Sequence, residues 1–238
     1  MPAVTRSAPR EAIATWHVLG HAAQLEERVA GRILALAAAA IADHGCFRIV
    51  LAGGRTPGAV YRRLADAAAD WPRWQVYFGD ERCLPADDPE RNSVMAARAW
   101  LDRVPIPPEQ VHPVPAEQGA AAAAAAYRAI VQAALPFDLV LLGMGEDGHT
   151  ASLFPGHVHA AEELVHAVHD APKPPPERVS LGLAALNDAG AVMVLVTGSG
   201  KRAAVERWRR GDNLPVARVH GRNGVDVYLD AEAAGVEA

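Results

Sequence analysis

The chain has 238 residues and a mass of 25.1 kDa, the size of one large domain or two small ones. Half of it is hydrophobic and 21% is charged, which excludes a disordered chain. Alanine is abundant while aromatics make up only 5%, which favours closely packed helices over an all-β sandwich, and a net charge of −5 argues against nucleic acid as a partner.

The opening residues, MPAVTRSAPREAIATWHVLG, carry no apolar leader region and no cleavage site, so no secretory signal is expected. A helix follows over about 22–44. Its apolar run, near Ile33 to Ala42, is too short to cross a bilayer, which needs roughly 20 residues. A soluble, cytoplasmic chain without membrane contact is therefore expected. A β-branched strand over 47–52 is stopped by Gly53-Gly54. Helix 57–70 comes next, with Thr56 as its cap and Pro57 at its first position. The pattern then predicts a strand over 75–79 and helices over 93–101 and 117–134, the last through seven consecutive alanines. A nearly all-apolar strand spans 139–143, followed by a polar loop and a short helix. Further strands are expected over 179–183 and 191–197, then a helix over 199–209 and a final strand over 225–229. The Pro-rich pieces 104–115 and 172–176 read as short rigid loops, and no linker splits the chain.

Apolar strands alternating with helices imply a largely parallel sheet covered on both faces, a Rossmann-like α/β fold in one domain over 1–238. Ligands in such folds sit beyond the carboxyl ends of the strands. The segments at those ends are Gly53 to Thr56, Gly79 to Arg82, Gly143 to Thr150 and Gly198 to Lys201, all rich in glycine and polar side chains.

Each segment has a chemical and a plain reading. Gly53-Gly54 before a helix start suits an anion, such as a phosphate, but equally fits an ordinary turn. Asp80-Glu81-Arg82 is either a salt-bridged turn or the source of an arginine for an anion or oxyanion. Gly143 to Gly148 matches GxGxxG, yet it lies mid-chain and places Glu146 and Asp147 where a pyrophosphate would be repelled, which rejects a dinucleotide. His149, two residues after Asp147, is either a general base oriented by that carboxylate or a surface histidine. The histidines at 149, 157, 159, 166 and 169 fit no metal spacing, although His166 and His169 could touch on a helix. Thr197 to Lys201 lacks the first glycine and the Ser/Thr of a P-loop, leaving only an anion site with a lysine. Ser152 is not in a nucleophile elbow. Cys46 and Cys83 form no disulfide framework and read as reduced thiols.

Taken in order, these loops resemble the 6-phosphogluconolactonase family. The matching pieces are LAGGRTP (51–57), FGDERCLP (78–85), Asn92-Ser93, FDLVLLGMGEDGHTASLFPG (137–156), PKPPPERVSL (172–181) and VTGSGK (196–201). The resemblance implies the fold shared with glucosamine-6-phosphate deaminase, and hydrolysis of 6-phospho-D-glucono-1,5-lactone in the pentose phosphate pathway. It further implies His149 as general base on water, Asp147 as its orienting carboxylate and Arg82 as an active-site arginine. Gly53, Gly54, Thr56, Arg178 and Lys201 would hold phosphate, with no metal and no cofactor, in a monomer. Cys83 and Ser180 depart from the family's usual residues at their positions. The rivals are a glucosamine-6-phosphate deaminase or isomerase, disfavoured by the TASLFP continuation after His149, and a non-catalytic sugar-phosphate-binding protein.

Overall fold

The structure is a computed structural model that describes residues 14–236. The segment on which the absence of a leader was read therefore lies mostly outside the described residues.

Six parallel strands form the central sheet in the order β1-β9-β8-β5-β2-β3. They are β1 (Ala14–Leu19), β2 (Phe47–Leu51), β3 (Trp74–Phe78), β5 (Phe137–Gly143), β8 (Ala189–Val196) and β9 (Val225–Asp230). The inner strands β2, β5 and β8 are mostly buried, which their predominantly apolar sequences require once helices flank the sheet. Those helices are α1 (Ala22–His44), α2 (Arg55–Ala65), α3 (Asn92–Ala99), α4 (Ala120–Ala134), α5 (Leu183–Asn187), α6 (Arg202–Arg209) and α7 (Ala231–Ala234). A three-stranded antiparallel sheet, β4-β7-β6, stands beside the main one, built from β4 (Asp80–Arg82), β6 (Val165–Val168) and β7 (Arg178–Leu181). Gly79 joins the two sheets: its N–H donates to Leu51 in β2, and its carbonyl accepts from Leu181 in β7.

The expected α/β architecture is present, with several local corrections. Helix α2 begins at Arg55 rather than Pro57, with Gly54 at its cap, and ends at Ala65 rather than Asp70. Thr56 therefore lies inside the first turn and caps nothing; its hydroxyl instead meets that of Thr197 at 2.6 Å. Helix α4 starts at Ala120, because Gly119 takes φ +86 and breaks the run; Glu117 sits in a separate short turn. No helix follows β5 before β6. His166 lies on strand β6, not on a helix. Strand β1 was not expected, since half-exposed ATWHVL at a sheet edge shows no apolar run. Strand β4 was hidden because its three residues are all charged. None of the helices is long and apolar enough to cross a membrane.

Candidate active site

A cleft of about 300 Å³ opens at the carboxyl ends of β2 and β5, roofed by the loop between β6 and β7. Its walls include Gly53, Gly54, Asp80, Arg82, Asn92, His149, Phe154, Lys173, Arg178 and Lys201. Of the eight residues singled out in the sequence, six line it: Gly53, Gly54, Arg82, His149, Arg178 and Lys201. Thr56 instead borders a larger neighbouring cleft that shares Gly53, Gly54 and Lys201. Asp147 is not on the wall; it grips His149.

That grip is the tightest feature of the site. Asp147 Oδ1 accepts from the His149 backbone N–H at 3.1 Å and lies 2.5 Å from its Nδ1. Burial opposes the Asp147 charge, but the bonds from His149 outweigh it and hold the carboxyl below its ordinary range. An ionised carboxylate only accepts, so Nδ1 must carry the ring proton and Nε2 keeps its lone pair. Burial pushes the His149 pKa down; Asp147 opposes this and Lys173 adds to it. The imidazole is thus neutral at neutral pH. Gly145 makes the pair possible, for a Cβ there would come within 2.0 Å of Nδ1. Phe154 supports the ring from the other side, 4.7 Å between centroids.

The two carboxylates of β4, Asp80 and Glu81, are fully engaged. Glu81, wholly buried, accepts from the backbone N–H groups of Arg82, Asn92 and Ser93 and from the Ser93 hydroxyl. It thereby holds the start of α3, where the helix dipole favours an anion. Arg91 Nε lies 3.5 Å from Glu81, a charge pairing without hydrogen-bond alignment. Asp80 accepts from Ser152 Oγ at 2.7 Å and from Asn92 Nδ2 at 3.1 Å. Asn92 occupies the space a side chain at Gly53 would take, with Oδ1 2.0 Å from such a Cβ.

The cations differ among themselves. Arg82 Nη1 donates to the Glu90 carbonyl, while its Nε is buried without a protein partner. Arg178 donates from Nε to the Pro175 carbonyl and from Nη2 to those of Lys173 and Pro174. Among the described residues Lys173 and Lys201 make no ion pair. Burial lowers the Lys201 pKa; Glu146 opposes that and Lys173 adds to it.

A model of the glucosamine-6-phosphate isomerases/6-phosphogluconolactonase family matches residues 20–228. The chain belongs to this family. The 6-phosphogluconolactonase of Streptomyces coelicolor is 40% identical over 233 residues, covering 88% of this chain and 89% of that one. That of Mycobacterium tuberculosis is 40% identical over 222 residues, covering 85% and 90%. The crystal structure of 6-phosphogluconolactonase from Thermotoga maritima superposes with a TM-score of 0.86 at 28% identity, covering 92% and 100%. A monomeric glucosamine-6-phosphate deaminase, 21% identical with a TM-score of 0.80, shares the fold.

Within this family frame, four residues of the cleft were not expected from sequence reasoning: Lys173, Asp80, Asn92 and Phe154. Lys173 lay in a segment read as a rigid proline loop and as a family motif, but no role was assigned to it. Its signal was present in the composition, since Lys173 and Lys201 are the only two lysines among 23 basic residues. The remaining histidines are dispersed into other roles. His166 lies 2.6 Å from Glu163, and His169 lies 2.8 Å from Glu177, so each is held by its own carboxylate rather than by the other. Burial pushes the Cys83 thiol up to about 11, which makes it a poor nucleophile.

Proposed function

We propose that the chain hydrolyses 6-phospho-D-glucono-1,5-lactone to 6-phospho-D-gluconate, as its relatives' names indicate for them. The observation that carries the reading is an imidazole, fixed by a carboxylate, facing a cleft whose lysines have no ion-pair partners among the described residues. His149 Nε2 takes a proton from water as the oxygen attacks the lactone carbonyl. The developing oxyanion is met by the Arg82 guanidinium, whose buried Nε–H is without a partner. Collapse of the tetrahedral intermediate breaks the bond to the ring oxygen, which receives the proton back from His149. Asp147 holds the ring and stabilises the transient imidazolium. A lactone is an activated ester, so no covalent nucleophile is required.

The Gly53-Gly54 turn, Lys201 and Arg178 supply the phosphate end, where a dianion gives remote binding energy for positioning the carbonyl. Thr56 contributes indirectly, by fixing the start of α2 against Thr197. In this reading the enzyme acts as a cytoplasmic monomer of one domain, without metal or cofactor, and its partner is the small phosphorylated lactone rather than nucleic acid or membrane. Purified protein given freshly prepared lactone should consume it well above the spontaneous rate and release no ammonia from glucosamine 6-phosphate. Lactone loss at the spontaneous rate, or ammonia release, would overturn the assignment.

A further inference from the structure

The loop between β6 and β7, residues 169–177, is built around three prolines in a row and a preceding Pro172-Lys173. Prolines have no N–H, so this segment cannot hold itself together with backbone hydrogen bonds. One such bond closes its base, from Ala171 N–H to the Pro176 carbonyl. Everything beyond is held by Arg178, which is 5% exposed. Its Nε and Nη2 donate to the carbonyls of residues 173, 174 and 175 at 3.0–3.1 Å, and its guanidinium lies 5.7 Å from the centre of the Phe154 ring. A planar fork with five N–H donors suits three carbonyls converging from one turn; a single ammonium does not.

What this clamp presents is Lys173. It lines the cleft opposite Lys201, and each of the two lysines is without an ion pair among the described residues. The Lys173 charge disfavours that of Lys201. The chain uses arginine for its remaining 21 basic positions and lysine only here. A compact, flexible point charge suits a phosphate that must be reached from a moving stem, whereas arginine suits fixed frames. Two like charges left unpaired across one cleft are disfavoured in the empty protein and favoured by a dianion between them.

We propose that Lys173 is the second cation of the phosphate subsite, paired across the cleft with Lys201, and that Arg178 is mainly a positioning residue that presents Lys173 by clamping the loop. This rests on the sugar-phosphate reading above and revises one part of it: the two lysines meet the phosphate, and Arg178, placed there at the phosphate end, serves it by framing the loop.

The test is a double-mutant cycle of Lys173→Met and Arg178→Met, assayed on the phosphorylated lactone and on unphosphorylated glucono-1,5-lactone. Assayed on the pH plateau above the His149 limb, Lys173→Met should raise KM for the phosphorylated lactone by about 10- to 100-fold with kcat within about threefold, and leave kcat/KM for the unphosphorylated lactone unchanged there. Arg178→Met should show the same loss, and the double variant should be no worse than Arg178→Met alone. Additive losses would mean that Arg178 binds phosphate independently, and would overturn its positioning role. An unchanged KM in Lys173→Met, or an equal loss on both lactones, would overturn the role of Lys173. Should Arg178→Met fail to fold, Arg178→Lys replaces it: one ammonium cannot span three carbonyls, so the loss must persist, and wild-type behaviour would contradict the clamp. Calorimetric titration with inorganic phosphate gives a readout without turnover. Weaker phosphate binding in Lys173→Met would stand even if the wild-type protein proved inactive on lactone, which separates failure of this inference from failure of the activity.

Discussion

Two neighbouring groups of charges, one beneath the cleft and one lining it, are treated in opposite ways. Below, Glu81 accepts four hydrogen bonds and Arg91 is bound to Glu117 at 2.9 Å and to the Val114 carbonyl at 2.6 Å. Above, Lys173 and Lys201 have no ion-pair partner among the described residues, and Arg82 Nε–H is buried without one. A buried charge held by opposite charges and hydrogen bonds is part of the frame, and removing one partner is costly. A charge left without a counter-charge in a concave site is disfavoured there until something else arrives. Satisfaction by an opposite charge, more than burial, separates Arg91, which builds this site, from Arg82, Lys173 and Lys201, which act in it.

Substitutions can break that division or sharpen it. His149→Ala removes the proposed base and should lower kcat by on the order of 10² to 10⁴ with an unchanged melting temperature. Glu81→Gln belongs to the frame and should cost about 3–5 kcal/mol of stability, seen as a reduced denaturant midpoint, because an amide cannot accept all four hydrogen bonds at the start of α3 and Arg91 loses one of its two carboxylates. Intact stability in that variant would dissolve the contrast. Asp147→Asn should lower kcat by roughly 10²-fold, since the ring loses its fixed tautomer. It also removes the charge that favours the imidazolium, so the His149 pKa falls further and the acid limb of the kcat/KM profile moves to lower pH. Lys173→Met works in the reverse sense: loss of a neighbouring positive charge raises the His149 pKa and shifts that limb upward. In the wild-type protein burial already places the limb below the ordinary imidazole value of about 6.5. Thr56→Val is the mildest change, losing one hydroxyl contact with Thr197 worth about 1 kcal/mol.

Much of the fold was legible in the sequence because β2, β5 and β8 are buried on both faces over most of their length and so carry predominantly apolar runs, interrupted only by Arg48 in β2 and Asp138 in β5 near the strand starts. The strands that escaped notice are those whose sequences answer to something other than a two-sided core. Strand β1 is a half-exposed edge, and the carboxylates of β4 are made compatible with burial by partners distant in sequence, Ser152 and Asn92 on Asp80 and Asn92 and Ser93 on Glu81. The site followed the same logic. Glycines 53 and 54, His149 and Lys201 each stand in the segment that follows a predicted strand, and the structure brings them to one cleft. Asp80 and Asn92 were seen as charge or motif, but their roles depend on contacts across the cleft. The clamp of Arg178 on its own loop is invisible in one dimension, since nothing in PKPPPER says that the arginine turns back on the three residues before Pro176. Thr56 was misjudged for a local reason, the earlier start of α2 at Arg55.

The division between satisfied and unsatisfied charge is tested most directly by Lys201→Met, comparing kcat/KM for phosphorylated and unphosphorylated lactone alongside the melting temperature. The account predicts that the preference for the phosphorylated lactone falls by about 10- to 100-fold while stability holds or rises slightly. An unaltered preference, or a loss of stability as large as that of Glu81→Gln, would contradict it.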